Sequence, residues 1–122
     1  MKLHQAVAAG DNTFTGYGDD YVSVNGERRT TSAIVMPERI LDWSVAAFDQ
    51  LRAEDFTVFE TLGVDIVLLG TGRKQRFPHP SLTAALSRAG IGVEVMDLQA
   101  ACRTYNILVA EARKVAAALL FG

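Results

Sequence analysis

The sequence predicts a single α/β domain, and three observations support that prediction. An Asn-Gly pair, Asn25-Gly26, separates two runs rich in β-branched residues, which is the strongest short-range signal for a β-hairpin. Two apolar runs, 64–69 and 92–96, enclose a helical pattern and predict a strand-helix-strand unit. The length of 122 residues lies within the commonest range for one domain. We therefore treat residues 1–122 as one domain.

The composition is that of an ordinary globular protein. Hydrophobic residues make up 49% of the chain and charged residues 21%, so the chain can bury a core. The formal net charge of −2 leaves no overall positive field to attract nucleic acid or anionic lipid. No apolar run approaches the roughly 20 residues that cross a bilayer. We therefore expect neither nucleic-acid binding nor membrane insertion.

Two features bear on the compartment. The first residues, 1–5, contain no apolar region of a secretory signal, and acidic residues precede the first arginine, Arg28, which argues against a mitochondrial presequence. The single cysteine, Cys102, cannot form an internal disulfide and suits a reducing compartment. We expect a cytoplasmic protein.

The β-hairpin comes first along the chain. Its first arm is 21–24, and its second arm, 27–35, turns apolar over its last residues, as a strand that enters the core halfway along would. Pro37 ends that run. The N-terminal third is therefore predicted to be β-structure.

The next segment leaves two interpretations open. Residues 41–48 fit either one helical face or a short strand at 43–45, and we favour the strand. Aromatic and apolar residues then recur at helical spacing over 52–62, and Gly63 follows as a C-cap residue. A short helix is predicted there.

The strand-helix-strand unit is the clearest pattern in the sequence. The run 64–69 is continuously apolar apart from Asp65, as in a strand buried on both faces, and 92–96 is a second such strand. Between them, Pro80 opens a helix that closes at Gly90. A unit of about 33 residues predicts parallel strands joined by a right-handed crossover.

A third helix and a final strand complete the chain. Asp97 is suited to cap a helix whose apolar positions over 98–109 recur at i, i+3 and i+4. A helix continuing to Leu120 would be about 36 Å long, which is too long for a compact chain of about 14 Å radius of gyration. We therefore predict a break near Ala112 followed by a buried strand.

The loop after the first buried strand is a candidate ligand site. It reads Gly70-Thr71-Gly72-Arg73-Lys74-Gln75-Arg76 and leaves the carboxyl end of a strand, where open α/β sheets place their ligands. Thr71 can donate a hydrogen bond, and the three cations could neutralise an anion. The pattern is neither a dinucleotide-binding fingerprint nor a P-loop. A small-anion or nucleotide site therefore stays open beside a structural turn with a solvated basic flank, which we favour.

Catalytic and metal-binding patterns are weak. Cys102 would need a base such as His79 to act as a nucleophile, but it lies on the apolar stripe and is more typical of a small buried hydrophobe. His4 and His79 lie in unrelated segments and give no zinc spacing. We expect no catalytic residue, no metal and no cofactor.

Four polar residues have two interpretations each. Asp65 and Glu94 interrupt apolar strands, and we expect them at strand ends or edges with salt-bridge partners rather than in acid-base catalysis. Thr104 and Asn106 face away from the buried stripe of the third helix. They could contact a ligand, another loop or a partner protein, or they could form local hydrogen bonds.

Several segments together resemble the small domain family of unknown function that includes mitochondrial complex I assembly factor 3. The family also has stand-alone bacterial and archaeal members, and the similarity runs from about Asn12 to Leu120. The segments that carry it are Gly70-Thr71-Gly72, 90–97, 103–108, Glu111, 113–115 and 118–120.

The resemblance implies a three-layer fold with a central mixed sheet, helices on both sides and the final segment as a strand antiparallel to its neighbours. It also supports the break near Ala112, where the family usually has glycine. It implies no catalytic residue or cofactor. Because the mitochondrial member is an assembly factor, the resemblance favours binding over catalysis.

Our leading hypothesis is a non-enzymatic binding or assembly protein that acts through a protein partner, and the resemblance extends this hypothesis to respiratory complex assembly. Its surface would combine the Gly70 loop with the start of the third helix: Gly70, Thr71, Gly72, Arg73, Arg103, Thr104 and Asn106. The alternative is a small-molecule or anion-binding protein or enzyme that uses Thr71, Arg73 and Arg103. Oligomerisation through the free edge of the hairpin is compatible with either hypothesis.

Overall fold

Residues 10–122 are described by a computed structural model in which eight strands form two β-sheets. The strands are β1 (Phe14–Tyr17), β2 (Val22–Val24), β3 (Glu27–Arg29), β4 (Ala33–Val35), β5 (Ile40–Asp42), β6 (Ile66–Thr71), β7 (Gly92–Met96) and β8 (Val115–Leu120). The helices are α1 (Pro80–Arg88) and α2 (Leu98–Ala110), with 3₁₀ helices at Phe48–Gln50 and Ala53–Thr61.

The larger sheet is mixed, as predicted, with strand order β5-β4-β8-β6-β7. β6 is parallel to β7 and β8, and β4 is antiparallel to β5 and β8. The final strand is therefore antiparallel to only one neighbour, which corrects the prediction that it opposes both. β8 is parallel to β6 because α2 is a helical crossover that returns the chain to the same end of the sheet.

The larger sheet carries a core on each face, which confirms the predicted three layers. α1 and the 3₁₀ helix Ala53–Thr61 cover one face, where Phe59 and Leu69 are buried. α2 and the three-stranded sheet cover the other face, where Leu68 and Tyr105 are buried. All six residues of β8 are buried between these two cores.

β2 and β3 form the predicted hairpin. Asn25 and Gly26 have φ values of 52° and 86°, as both central residues of a type I′ turn require. The predicted second arm is divided, because β3 ends at Arg29 and the apolar residues beyond it form β4 in the larger sheet. β1, which pairs with β2, was not predicted, since it has four residues and contains Gly16.

The region between β4 and β6 differs most from the prediction. The strand expected at 43–45 lies earlier, as β5, and Trp43 and Val45 follow it as buried residues outside the sheet. The expected α-helix at 52–62 is a 3₁₀ helix. Its buried Phe56 and Phe59 are three residues apart, which matches the 3₁₀ repeat.

The predicted strand-helix-strand unit is confirmed. β6 and β7 are parallel, with Ile66 opposite Gly92, and α1 connects them. β7 is not buried on both faces as expected. It is one of the two outer strands of the larger sheet, and its Gly92 and Glu94 are exposed. The predicted break after α2 is also confirmed. Ala112 adopts a left-handed φ of 60° between α2 and β8.

Asp65 and Glu94 lie where the sequence placed them, just before β6 and on an outer strand. Both are exposed, and within residues 10–122 neither forms one of the expected salt bridges. The same part of the chain contains no helix that is long and apolar enough to cross a membrane. His4 and the N-terminal residues used for the compartment prediction lie outside the described residues.

Candidate functional site

A crevice of about 240 Å³ opens beside the first turn of α2, at the carboxyl ends of β6 and β7. Its lining includes residues of the β1–β2 loop, the loop after β6 and α2: Gly18, Asp19, Gly72, Arg73, Asp97 and Arg103. The crevice thus brings together three of the predicted site residues. The other four predicted residues lie outside its lining: Gly70, Thr71, Thr104 and Asn106.

Gly70 allows α2 to pack closely against β6. A Cβ atom at this position would lie 3.0 Å from the Cβ of Ala101 and 3.1 Å from the Cδ2 of Leu119. Both of those side chains are buried, so a larger residue would have to displace the helix or the core. Gly70, which the sequence predicts as a ligand-site residue, therefore has a role in packing α2 against β6.

Thr71 organises the loop that follows it. Thr71 is only 3% exposed, and its hydroxyl is within hydrogen-bonding distance of the carbonyl oxygens of Lys74 and Met96. The same hydroxyl oxygen accepts a hydrogen bond from the backbone N–H of Arg76 at 3.0 Å. The hydroxyl is therefore used within the chain.

Two N–H groups in the first turn of α2 are bonded to other groups of the chain. The N–H of Leu98 donates to the carbonyl oxygen of Gly72 at 2.8 Å, and the N–H of Ala100 donates to the carboxylate of its cap, Asp97, at 2.9 Å. These N–H groups are the ones that a bound anion would use at a helix N-terminus. Where α/β sheets usually bind ligands, a carbonyl and a carboxylate of the protein thus already accept hydrogen bonds from two of these N–H groups.

Two of the three cations in the loop have carboxylate partners. Arg73 makes hydrogen bonds of 2.7 to 3.2 Å with Asp20, and these hydrogen bonds together with the charge of Asp20 raise the pKa of Arg73. Arg76 pairs with Asp49. Within the described chain, Lys74 alone of the three has no salt bridge. Little uncompensated positive charge remains in the loop.

Asn106 contacts another segment of the chain, β1, and so follows one of the alternatives that the sequence left open for it. Its Oδ1 accepts a hydrogen bond from the N–H of Phe14 at 2.9 Å, and its Nδ2 donates to the carbonyl oxygen of Phe14 at 2.8 Å. The amide therefore satisfies the free edge of β1 as a neighbouring strand would. The hydroxyl of Tyr105 adds a hydrogen bond to the carbonyl oxygen of Asn12 at 2.9 Å.

The outer face of α2, defined by Gln99, Arg103 and Ile107, points away from both cores. These residues are four apart and so lie on one side of the helix. Arg103 is exposed and forms no salt bridge within residues 10–122, and its guanidinium lies 5.9 Å from the centroid of the Tyr17 ring. Ile107 is 58% exposed.

The sequence analysis missed Ile107. The signal was available, because this residue is apolar but falls outside the i, i+3, i+4 stripe that the analysis assigned to the core. Thr104 was a predicted candidate, but it is half-buried and lies on the opposite side of the helix from Asn106. Thus the outer face shares only Arg103 with the predicted set.

Cys102 and His79 have structural environments. Burial raises the pKa of the Cys102 thiol to about 12, so the reactive thiolate is absent at neutral pH. The Nδ1 of His79 accepts a hydrogen bond from the N–H of Ser81 at 3.1 Å and so caps α1. In the part of the chain that the structure describes, no cluster of three His, Cys, Asp or Glu residues could hold a metal ion.

Comparison with protein families gives one match, which spans almost all of the described chain. The family is described as "Protein of unknown function (DUF498/DUF598)", and it matches residues 14–120. That range contains both sheets, both α-helices and the crevice.

Two curated relatives carry the same name, NADH dehydrogenase [ubiquinone] 1 alpha subcomplex assembly factor 3. The Mus musculus protein is 34% identical over 110 residues, which are 85% of this chain and 60% of that protein. The Danio rerio protein is 30% identical over 122 residues, which are 98% of this chain and 70% of that protein. The chain thus spans about 60% of the length of the mouse relative.

A solved structure confirms the fold. The crystal structure of a protein from Bordetella parapertussis superposes with a TM-score of 0.88 at 40% sequence identity. The match covers 94% of this chain and 99% of that one.

Proposed function

The chain belongs to the DUF498/DUF598 family, and we propose from this premise that it is an assembly factor that acts by binding other proteins, without catalysis. The observation that carries the proposal is the name shared by relatives that align with 85% to 98% of the chain. We extend that name to a role in the assembly of the respiratory NADH dehydrogenase complex. The compartment we propose is the cytoplasm.

The hydrogen bonds in and beside the crevice support binding of a protein rather than of a small anion. The N–H groups of Leu98 and Ala100, the hydroxyl of Thr71 and the guanidinium of Arg73 already have partners within the chain. Asp19 and Asp97 also line the crevice and would repel an anion. A phosphate that used these groups would therefore have to break existing hydrogen bonds to bind.

We place the partner contact on the outer face of α2. Arg103, whose donors have no partner within residues 10–122, and the exposed Ile107 offer what protein interfaces use most, a cation beside an apolar side chain. Gly72 and Arg73, which line the adjoining crevice, extend this surface. The matching partner surface carries a carboxylate opposite Arg103 and an apolar group opposite Ile107.

Deletion of the gene tests this function in the organism that encodes the chain. We expect less assembled NADH dehydrogenase complex on native gels and lower NADH oxidation by isolated membranes, both restored by the wild-type gene. The tagged chain should also co-purify with subunits or assembly intermediates of that complex. Normal complex levels in the deletion strain, together with no co-purifying subunit, would contradict the proposal.

Ligand screening tests the anion-binding alternative. Inorganic phosphate, nucleotides and phosphorylated metabolites should leave the Tm of the purified chain unchanged in a thermal-shift assay. A saturable rise in Tm that Arg73→Ala abolishes would favour the alternative.

Light scattering tests the third hypothesis, oligomerisation through the hairpin. The free edge of the hairpin sheet is β3, which carries Arg28 and Arg29. Charged residues on an edge strand oppose self-pairing, so we expect a monomer under conditions where the hairpin is intact. A dimer of the wild-type chain would contradict this expectation.

A further inference from the structure

β7 is the longest outer strand of the described chain, and its free edge is incompletely covered. The other outer strands are β1, whose edge receives Asn106, and β3 and β5, which have three residues each. β7 has five residues and lies at the end of the larger sheet. A free edge offers unpaired N–H and C=O groups to an added strand.

The backbone of Val93 and Val95 points outward from this edge. The N–H of Gly92 donates to the carbonyl oxygen of Asp65 at 3.0 Å, and successive residues of a strand alternate in direction, so Val93 and Val95 face away from β6. The side-chain amide of Gln75 donates to the carbonyl oxygen of Val95 at 2.9 Å. Within residues 10–122, the other outward groups of these two valines have no hydrogen-bond partner.

An exposed aromatic residue follows closely after Gln75, the loop residue that contacts this edge. Phe77 is 71% exposed, and its Cα lies within about 7 Å of the Cα of Gln75, which contacts β7. The loop that presents it is held by Gln75, by Arg76 on Asp49 and by the hydroxyl of Thr71. An apolar side chain held in water by a fixed loop is typical of an interface contact.

The two faces of β7 carry different side chains. Val93 and Val95 pack against the core on the face that α1 covers, and Phe77 lies three residues before that helix. Glu94 points to the opposite face, is exposed and forms no salt bridge within the described residues. A strand added here would meet apolar groups on one face and a free carboxylate on the other.

We propose that β7 takes up an extended, basic segment of a partner protein as a sixth strand of the larger sheet. The segment places apolar residues beside Val93, Val95 and Phe77, and a lysine or arginine beside Glu94. Backbone pairing supplies affinity, and the alternating side chains supply specificity. A second copy of this chain fits less well, because antiparallel pairing of Val93 with Val95 of the copy sets one Glu94 against the other.

The test is an NMR titration of the purified chain with two blocked nine-residue peptides. One alternates valine with lysine, and the other alternates valine with glutamate. The lysine peptide should give saturable shifts of the Val93 and Val95 amides and the Phe77 ring, whereas the glutamate peptide should bind at least about fivefold more weakly. This test is independent of the proposed role in complex assembly, because it needs no cell and no NADH dehydrogenase.

Two variants locate the contact. Val93→Pro removes an outward N–H without breaking a hydrogen bond to β6, so it should weaken the lysine peptide at least about tenfold, while Val93→Ala keeps that N–H as its control. Glu94→Lys, which leaves the backbone intact, should reverse the preference between the peptides.

Four results would overturn the proposal. These are the absence of saturable shifts with the lysine peptide, equal affinity for both peptides, shifts centred away from β7, and self-association through β7 that excludes the peptide.

Discussion

The two faces of α2 differ in how far their side chains are already used within the protein. On the inner face, Cys102 and Tyr105 are fully buried, and Asn106 at its margin forms two hydrogen bonds with Phe14. On the outer face, Arg103 has no salt bridge within residues 10–122 and Ile107 is largely exposed. A polar residue beside a crevice therefore indicates a binding surface only when its hydrogen-bonding groups remain free.

The largest expected effect on stability comes from Gly70→Val, at the contact of the inner face with β6. The added side chain would meet Ala101 and Leu119 at distances that a real Cβ rarely shows, so we expect a loss of about 3 kcal/mol in the free energy of unfolding. Denaturant unfolding measures it. Gly92→Val is the matched control, since a Cβ there has no neighbour closer than 3.8 Å. Equal losses in the two variants would contradict the packing role of Gly70.

The second largest loss of stability is expected from Asn106→Ala, which removes both hydrogen bonds to Phe14. The N–H and C=O of Phe14 would lose their partners in a partly buried place, which costs about 2 kcal/mol. Thr104→Ala is the control, because the Thr104 side chain forms no hydrogen bond within the described chain, and it should stay within about 0.5 kcal/mol. If Asn106→Ala unfolds at the wild-type denaturant concentration, Asn106 is free for a ligand or partner after all.

The pH dependence of stability probes the same buried face. Burial raises the pKa of Cys102 from 9.0 to about 12, so above pH 9 the thiol ionises in the unfolded chain before it does in the folded one. The protonated thiol makes its full contribution to the free energy of unfolding below pH 9. This contribution falls as pH rises towards 12, by at most about 1.4 kcal/mol per pH unit. Unfolding measured from pH 8 to 10 checks this slope. Cys102→Ala should flatten it, and an unchanged slope would show that the thiol is not buried.

Local patterns made much of the fold predictable. Asn25-Gly26 predicted the hairpin, and the apolar runs of β6 and β7 predicted their parallel pairing. The neighbours of a strand are set by the whole sheet, however, and within 92–96 only Glu94 indicated a strand end or edge, whereas the apolar run around it predicted a strand buried on both faces. For the same reason, the sequence did not reveal that β8 is parallel to β6.

The sequence predicted the position of the candidate site, but it did not predict which hydrogen bonds its residues form. The sequence placed the Gly70 loop beside the start of α2, and the crevice joins them at Gly72, Arg73 and Arg103. The internal partners of Gly72 and Arg73 come from other segments of the chain, Leu98 for Gly72 and Asp20 for Arg73. No spacing rule within the loop could show that these groups were already satisfied.

The most direct test of the account replaces the exposed residues of the outer face of α2 and asks whether function is lost without loss of stability. In the deletion strain, a gene carrying Arg103→Ala with Ile107→Ala should fail to restore the NADH dehydrogenase complex, although the purified variant unfolds within about 0.5 kcal/mol of wild type. A matched pair of changes on α1, Ser87→Ala with Arg88→Ala, should restore it. Full restoration by the Arg103 and Ile107 variant would contradict the placement of the partner contact on this face.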